Sequence, residues 1–554
     1  MRRCAAAADR APSDEIVHRV GVRRVPSVAF AALILVCAGS QLTLAAATTT
    51  TTAPRSGTAT SWTVYHGDPA GDGVAGAVTS VDTSAPAWSS PALDGQLFGQ
   101  PLVAGGRVFV ATENDTVYAL SASTGSVLWS AHLGTAVPAS ALPCGNIAPT
   151  VGITGTPVID PARGELFVVA DELVNGSPAH ELIGVDTGTG RVELKQDVDP
   201  TGSTPSALLQ RTGLTLDRGR VVFGYGGNYG DCGAYHGWVV SVLETGGAAA
   251  DFAVDSGSGE SLGAVWMGGA APVVDAKGDV WVTAGNGSVH SAGHAYDDSD
   301  SVLELSPSLS LLQYFAPTTW AADNARDADM ATAPALLADG QVVAAGKSRI
   351  VYLLNGASLG GIGGQEASLP GACGDDIDGG VAVVGTTVYL PCLSGTIAVQ
   401  APVAAHGSLK LLWSAGSGGG SPVVAGGLVW TLGQDGILYG LDPATGTTRT
   451  QATVGAPANH FPTPSFGAGY LLVTSADRVV AFRAPLSTAP TSTTTAPRRT
   501  TTSTSHAVAA PAHPGSTSGS DTGAVVAAVI GGLVLVGGTT ALVLRVRRRR
   551  TIGR

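Results

Sequence analysis

An all-β chain, folded as an eight-bladed β-propeller of four-stranded antiparallel blades, is the fold class that these 554 residues predict. Three observations predict it. Similar segments recur at intervals of about 40 to 60 residues, the signature of a repeat architecture. Each segment alternates polar and apolar residues between Gly- or Asp-rich turns, the pattern of antiparallel hairpins. The composition, with 76 Gly, 5% aromatic and 13% charged residues, suits short strands and tight turns better than long helices.

The segments can be read in order. A strand and a tight turn open each one: "PLVAGGRVFVAT" from Pro101, "PVIDPARGELFVVA" from Pro157, "GLTLDRGRVVFGY" from Gly213, "PVVDAKGDVWVTA" from Pro272, "PALLADGQVVAAG" from Pro334, "GVAVVGTTVYLPC" from Gly380, "PVVAGGLVWTLG" from Pro422 and "PSFGAGYLLVTS" from Pro464. A third strand like "VYALS" follows, and usually a fourth like "VLWSA". The eighth copy stops after "DRVVAF" without a fourth strand. "PAWSSPALDG", from Pro86, resembles that missing strand and puts Trp88 where Trp129 stands in copy one. The N-terminal segment is therefore expected to close the ring, which hides sheet edges that would otherwise invite aggregation.

The spacing of Ala119, Ser121, Gly125 and Trp129 resembles the tryptophan-docking motif A-x-D-x-x-x-G-x-x-x-W of pyrrolo-quinoline quinone (PQQ)-like propellers. Asp186 and Asp442 match its acid, from which Ser121 departs; Trp413 matches its Trp loosely, and Leu194 and Thr450 replace it elsewhere. The resemblance spans Trp62 to about Phe482. It implies that Trp129, and Trp88 by position, wedge between blades, with Gly125, Gly190 and Gly446 as the turn glycines of the motif. It also implies PQQ and calcium as cofactors on the central axis, and a quinone-dependent dehydrogenase. The motifs of the family's alcohol dehydrogenases are missing: there is no adjacent Cys pair, no C-x-x-C-H haem site and no clear Glu/Asn/Asp metal set. The residues themselves assign no cofactor.

The termini read as membrane-directed. A charged flank, an apolar run over 28–38 and Ala45-Ala46-Ala47 predict a secretory signal over 1–47. A Thr-rich linker is expected over 48–61, the propeller over 62–484 and a Thr/Ser/Pro-rich stalk over 485–521. Residues 523–544 carry no charge and are long enough to span a bilayer, and "RVRRRR" follows. Basic residues stay cytoplasmic, so the expected topology is a single-pass cell-membrane protein with its propeller outside and the tail 545–554 inside. Without the two terminal segments, 18 basic and 39 acidic residues remain, which excludes a nucleic-acid partner. A monomer is expected.

In a four-stranded blade, the turns between strands one and two and strands three and four share a face. Here they are all short ("AGG", "DRG", "STG", "PATG"), and nearly every insertion falls on the other face: 134–155, 171–180, 224–237, 285–300, 316–333 and 370–379. Long loops on a rigid scaffold are usually kept for binding or catalysis. The four cysteines of the mature chain fall there too and are expected to pair as Cys144–Cys232 and Cys373–Cys392, each within or between neighbouring repeats. Tyr229, His236 and Asp300 are candidate ligand contacts, and Asp297, Asp298 and Asp300 are candidate oxygen ligands for calcium against a reading as turn formers. No catalytic residue emerges. The function expected is a membrane-tethered, non-catalytic binding or scaffold module for an extracellular or envelope protein or a glycan; the alternative is the PQQ- and calcium-dependent dehydrogenase. The topology makes a direct prediction: protease added to intact cells cuts the stalk and releases the propeller, whereas a protected propeller with a clipped tail would reverse the orientation.

Overall fold

Short apolar strands with polar turns can bury only one another, and here they do so in a closed ring. The computed structural model describes residues 61–403 and 407–487. The expected signal segment, membrane span and basic tail lie outside the described residues, as do the expected linker and stalk except at their edges. Among the described residues, no helix is long and apolar enough to cross a membrane.

Eight antiparallel sheets follow in chain order, each with four core strands. Blade one is Leu102–Ala104, Arg107–Ala111, Thr116–Ser121 and Val127–His132. Blade two begins at Val158–Asp160, blade three at Thr215–Asp217, blade four at Val273–Val274, blade five at Ala335–Leu336, blade six at Ala382–Val384 and blade seven at Val423–Ala425. Blade eight has Ser465–Gly467, Tyr470–Ser475 and Arg478–Arg483 from the C-terminal end, and Trp88–Ser89 from the N-terminal end. Trp88 pairs with Ala481 and Ser89 with Val480, so the expected closure is present. One apolar cluster, including Trp88, Leu97, Leu102 and Ala481, continues across this seam.

The docking motif works as a lid on a glycine. Trp88, Trp129 and Trp413 lie on Gly125, Gly190 and Gly446 of the following blade, where any Cβ would collide with the indole. These glycines also have φ of +71°, +77° and +70°, a conformation that L side chains avoid. Each indole N–H donates to a carbonyl of the same turn: Trp88 to Ala122 (2.9 Å), Trp129 to Thr187 (3.2 Å) and Trp413 to Pro443 (2.9 Å). Between blades two and three an amide takes over: Gln196 donates to Gly247 O at 3.1 Å and accepts from Gly247 N at 2.8 Å. Gln313 does the same between blades four and five, with Gly356 O and Leu359 N.

Three features depart from expectation. Residues 171–180 are not a loop: the strands Glu165–Val174 and Ser177–Asp186 pair throughout, because Asn175-Gly176 makes a tight hairpin turn. Residues expected to begin the stalk bond back to the ring, with Pro485 O and Ser487 N bonded to Thr79 and Ala77. Most consequential, residues 62–74 lie across the inner strands of the ring. Backbone hydrogen bonds of 2.8–2.9 Å join Trp62 to Val103, Thr63 to Ile159, Pro69 to Val274, Asp72 to Val383 and Gly73 to Val424. Five blades are thereby tied to one segment, which ends as a parallel strand, Val74–Ala75, on blade seven.

Truncation to remove residues 48–57 should leave the melting temperature unchanged. Trp88→Ala should cost about 3–5 kcal/mol, the usual loss for a large buried aromatic, and Gly125→Ala should destabilise through the same contact. Equal melting temperatures for the parent and Trp88→Ala would remove Trp88 from the closure.

Candidate functional site

The connections that lead into the inner strands converge at the axis on the loop-bearing face. Phe98, Gln100, Thr154, Thr156, Arg211, Gly268, Asn459, Phe461 and Thr463 line a funnel there, with Tyr65 of the axial segment also in its wall. Gln100 anchors it. Its Oε1 accepts from Trp62 Nε1 (3.0 Å) and His66 N (2.9 Å), and its Nε2 donates to Pro464 O (2.6 Å). Tyr65 and His66 stack at 4.4 Å, and the His66 Nδ1 lies 2.9 Å from Val381 O. Burial lowers the His66 imidazole to about 4, so it is neutral at physiological pH.

One cation stands in the funnel wall. Arg211 lies 4.6 Å from the Phe461 ring centroid, a cation–π distance. Burial lowers its guanidinium to about 10 against the pull of Glu113 and Asp378. Glu113 is buried and raised to about 7 by desolvation, although Gly152 N (2.8 Å) and Thr154 Oγ1 (3.1 Å) donate to its Oε2. Behind it lies a buried polar cluster between blades one and two. Desolvation and then Glu172 raise Asp115 to about 9; desolvation raises Asp171 to about 7. His180 Nδ1–H donates to Asp199 Oδ1 at 2.7 Å. Burial works against its imidazolium, yet Asp171 and Asp199 hold it above its ordinary value. Lys195 pairs with Glu172 at 2.7 Å.

The structure treats the residues nominated from sequence unequally. Both disulfides are present, Cys144–Cys232 and Cys373–Cys392, with Cα separations of 5.8 and 6.2 Å. Tyr229 is 71% exposed beside the first of them. His236 is half-buried, edge-on to Trp238 at 6.2 Å. Asp300, expected among exposed contacts, is fully buried. The reason is its place in the blade. It immediately precedes the third strand, at φ +43°, as Asp115 does in blade one at φ +53° and Gly436 in blade seven at φ +73°. The turn needs a residue that tolerates left-handed backbone, and at these three positions the residue is buried. Asp297, Asp298 and Asp300 do not come together as a ligand set. Asp297 accepts from Ser299 N and Oγ, and Asp300 is under the influence of Asp329 and Asp323 instead. Among the described residues, the groups of three metal-ligating side chains with closely placed ligand atoms are Cys373/Asp375/Cys392, where the sulfurs are bonded to each other, and Asp275/Asp279/Glu304, on the blade-four turn of the plain face. Gln100, the axial segment and the buried Asp115 went unnoticed in the sequence; the Asn-Gly turn at 175 was a readable signal.

The comparisons fit this geometry at the level of the fold. Residues 70–228 match the family described as outer membrane protein assembly factor BamB. Quinohemoprotein alcohol dehydrogenase ADHIIG from Pseudomonas putida HK5 superposes with a TM-score of 0.57 at 13% identity, over 77% of this chain and 81% of that one. The quinohemoprotein alcohol dehydrogenase from Comamonas testosteroni gives 0.57 at 15% identity, over 76% and 80%. A europium-containing methanol dehydrogenase gives 0.54 at 14%, over 77% and 98%. No curated protein sequence matches the chain. The chain is an eight-bladed propeller, and its likeness to these structures is one of fold.

The axial residues can be tested against the quinone that this resemblance implies. The funnel narrows to a cavity of about 10 Å³, about the room of one water. Among the described residues, neither group of three metal-ligating side chains includes a residue of the funnel wall. A cavity of that size leaves no room for a tricyclic quinone.

The buried acids set the pH response. Glu113, Asp115 and Asp171 have raised pKa values, so between about pH 4 and their native values the folded chain holds more protons than the unfolded one. Their stabilising contribution is lost as pH rises through about 7 to 9. The raised His180 acts in the same direction, because its contribution is lost as pH rises through its folded value. The melting temperature should therefore fall between pH 5 and pH 9. Asp115→Asn should flatten that fall and add on the order of 1–3 kcal/mol at pH 8. A melting temperature that rises over this range would contradict the assignment.

Proposed function

We propose that the chain is a cell-surface binding module, tethered by its C-terminal segment, that engages an extracellular or envelope partner through the loop-bearing face without catalysis. The observation that carries this reading is the asymmetry of the two faces around a filled axis. The insertions and both disulfides sit on one face, and the axial segment occupies the inner ring where the quinone reading needs space. Tyr229 and the disulfide-braced loop around Cys232 supply an exposed aromatic on that face. Exposed aromatics on a rigid support are the usual anchors of recognition.

A photo-crosslinking amino acid placed at Tyr229 should trap a partner of one defined mass on intact cells. The same residue placed at Asp339, on a plain-face turn, should trap none. Equal trapping from both faces would overturn the reading. So would stoichiometric uptake of PQQ with calcium by the purified chain, accompanied by reduction of an acceptor dye.

A further inference from the structure

Two loops meet beyond the outer strand of blade three: 254–263, which leaves the strand Ala250–Ala253, and 286–300, which joins Val280–Ala284 to Ser301–Leu305 in blade four. They are stitched together by the backbone. Asp255 N donates to Asp297 O at 3.0 Å, Gly263 N to Asn286 O at 2.9 Å and Ser288 N to Ser261 O at 2.9 Å. Asp255 is 1% exposed, and neither of its carboxylate oxygens has a hydrogen-bond partner among the described residues. Asp297 is 4% exposed and its Oδ2 is likewise unpartnered. Buried carboxylates are costly unless paired or bound to metal. No ion pair reaches either residue among those the described residues make, and the charged groups that act on Asp255 are Asp297, Glu260 and Asp298, all acids. Burial and these neighbours push the Asp255 carboxyl up to about 9. Two glycines leave the room: a Cβ on Gly263 would collide with the Asp255 carboxylate, and one on Gly287 would stand 2.8 Å from Asp297 Oδ2.

We propose that this cradle binds a calcium ion between Asp255 and Asp297. Calcium accepts six to eight oxygens in flexible geometry and commonly completes its shell with backbone carbonyls and water, so two direct carboxylates suffice where a smaller cation would demand a regular octahedron. Glu260 and Asp298 are half-buried and near enough to act on Asp255, so they add negative potential that favours a cation. The site replaces the set expected from sequence: Asp297 stays, Asp300 leaves and Asp255, 42 residues before Asp297, enters. It belongs to the outer loops rather than to the funnel and does not depend on the binding role proposed above.

The test uses the full chain in detergent micelles after stripping with a chelator. Calcium should raise the melting temperature by a few degrees and continue to raise it with the logarithm of its concentration, as a ligand of the folded state must. Terbium should bind at the same place and luminesce on excitation of the protein aromatics, Tyr296 being the residue next to Asp297, and calcium should quench that signal by displacement. Asp255→Asn and Asp297→Asn should each abolish both responses. Asp255→Asn should melt no lower than the stripped parent, because the amide is neutral without the proton uptake that burial forces on the carboxyl; this shows that the variant folds. Asp275→Asn, in the acidic group of the plain face, should respond like the parent. If calcium neither raises the parent's melting temperature nor displaces terbium, the proposal fails. It also fails if both responses survive in Asp255→Asn and Asp297→Asn.

Discussion

The two backbone pairings of Trp88 and Ser89 with Ala481 and Val480 are what the rest of the molecule depends on. A ring of sheets with one seam open would expose a strand edge and the apolar residues behind it. With the seam shut, every blade has two neighbours, and the connections that enter the inner strands are held at fixed positions around the axis. Gln100 shows how directly the closure reaches the site: its amide donates to Pro464 beside blade eight while its carbonyl oxygen holds Trp62 and His66.

Much of this was legible because repetition amplifies weak signals. One "ALSASTGSVLW" is ambiguous, but eight aligned starts leave few alternatives, and the spacing from Gly to Trp carries the blade interface with it. The disulfides were legible for the same reason, since the repeats placed their cysteines on one face. The axial segment was not. "SWTVYHGDPAGDGV" has neither strand alternation nor a helical period, because its backbone partners lie on five different blades and no local pattern encodes that. Gln196 and Gln313 were equally silent: an amide that docks one blade on the next looks like any polar surface residue.

The acids of the loop face differ in burial in a way that composition does not show. A sequence shows Asp300 within "YDDSD" as one more polar residue in a long loop. Its burial goes with a left-handed turn immediately before the third strand, occupied by Asp in blades one and four and by Gly in blade seven. Once an Asp occupies that turn, its carboxylate is carried inward whatever its charge. The loop face is therefore electrostatically layered, with Tyr229 and the Cys144–Cys232 bridge toward the surface and protonatable carboxyls below.

The closing seam also governs the order in which the chain can become a domain. Val479 N and Ser90 Oγ, hydrogen-bonded at 3.0 Å, are 389 residues apart, and the axial segment bonds to blades made early and late. Such long-range contacts are the slowest to form. A chain delivered through a membrane from its N-terminus would expose its first strand and its axial segment long before their partners emerge. The early segments would stay unpaired through translocation, and the finished ring could lock only when the last blade had arrived.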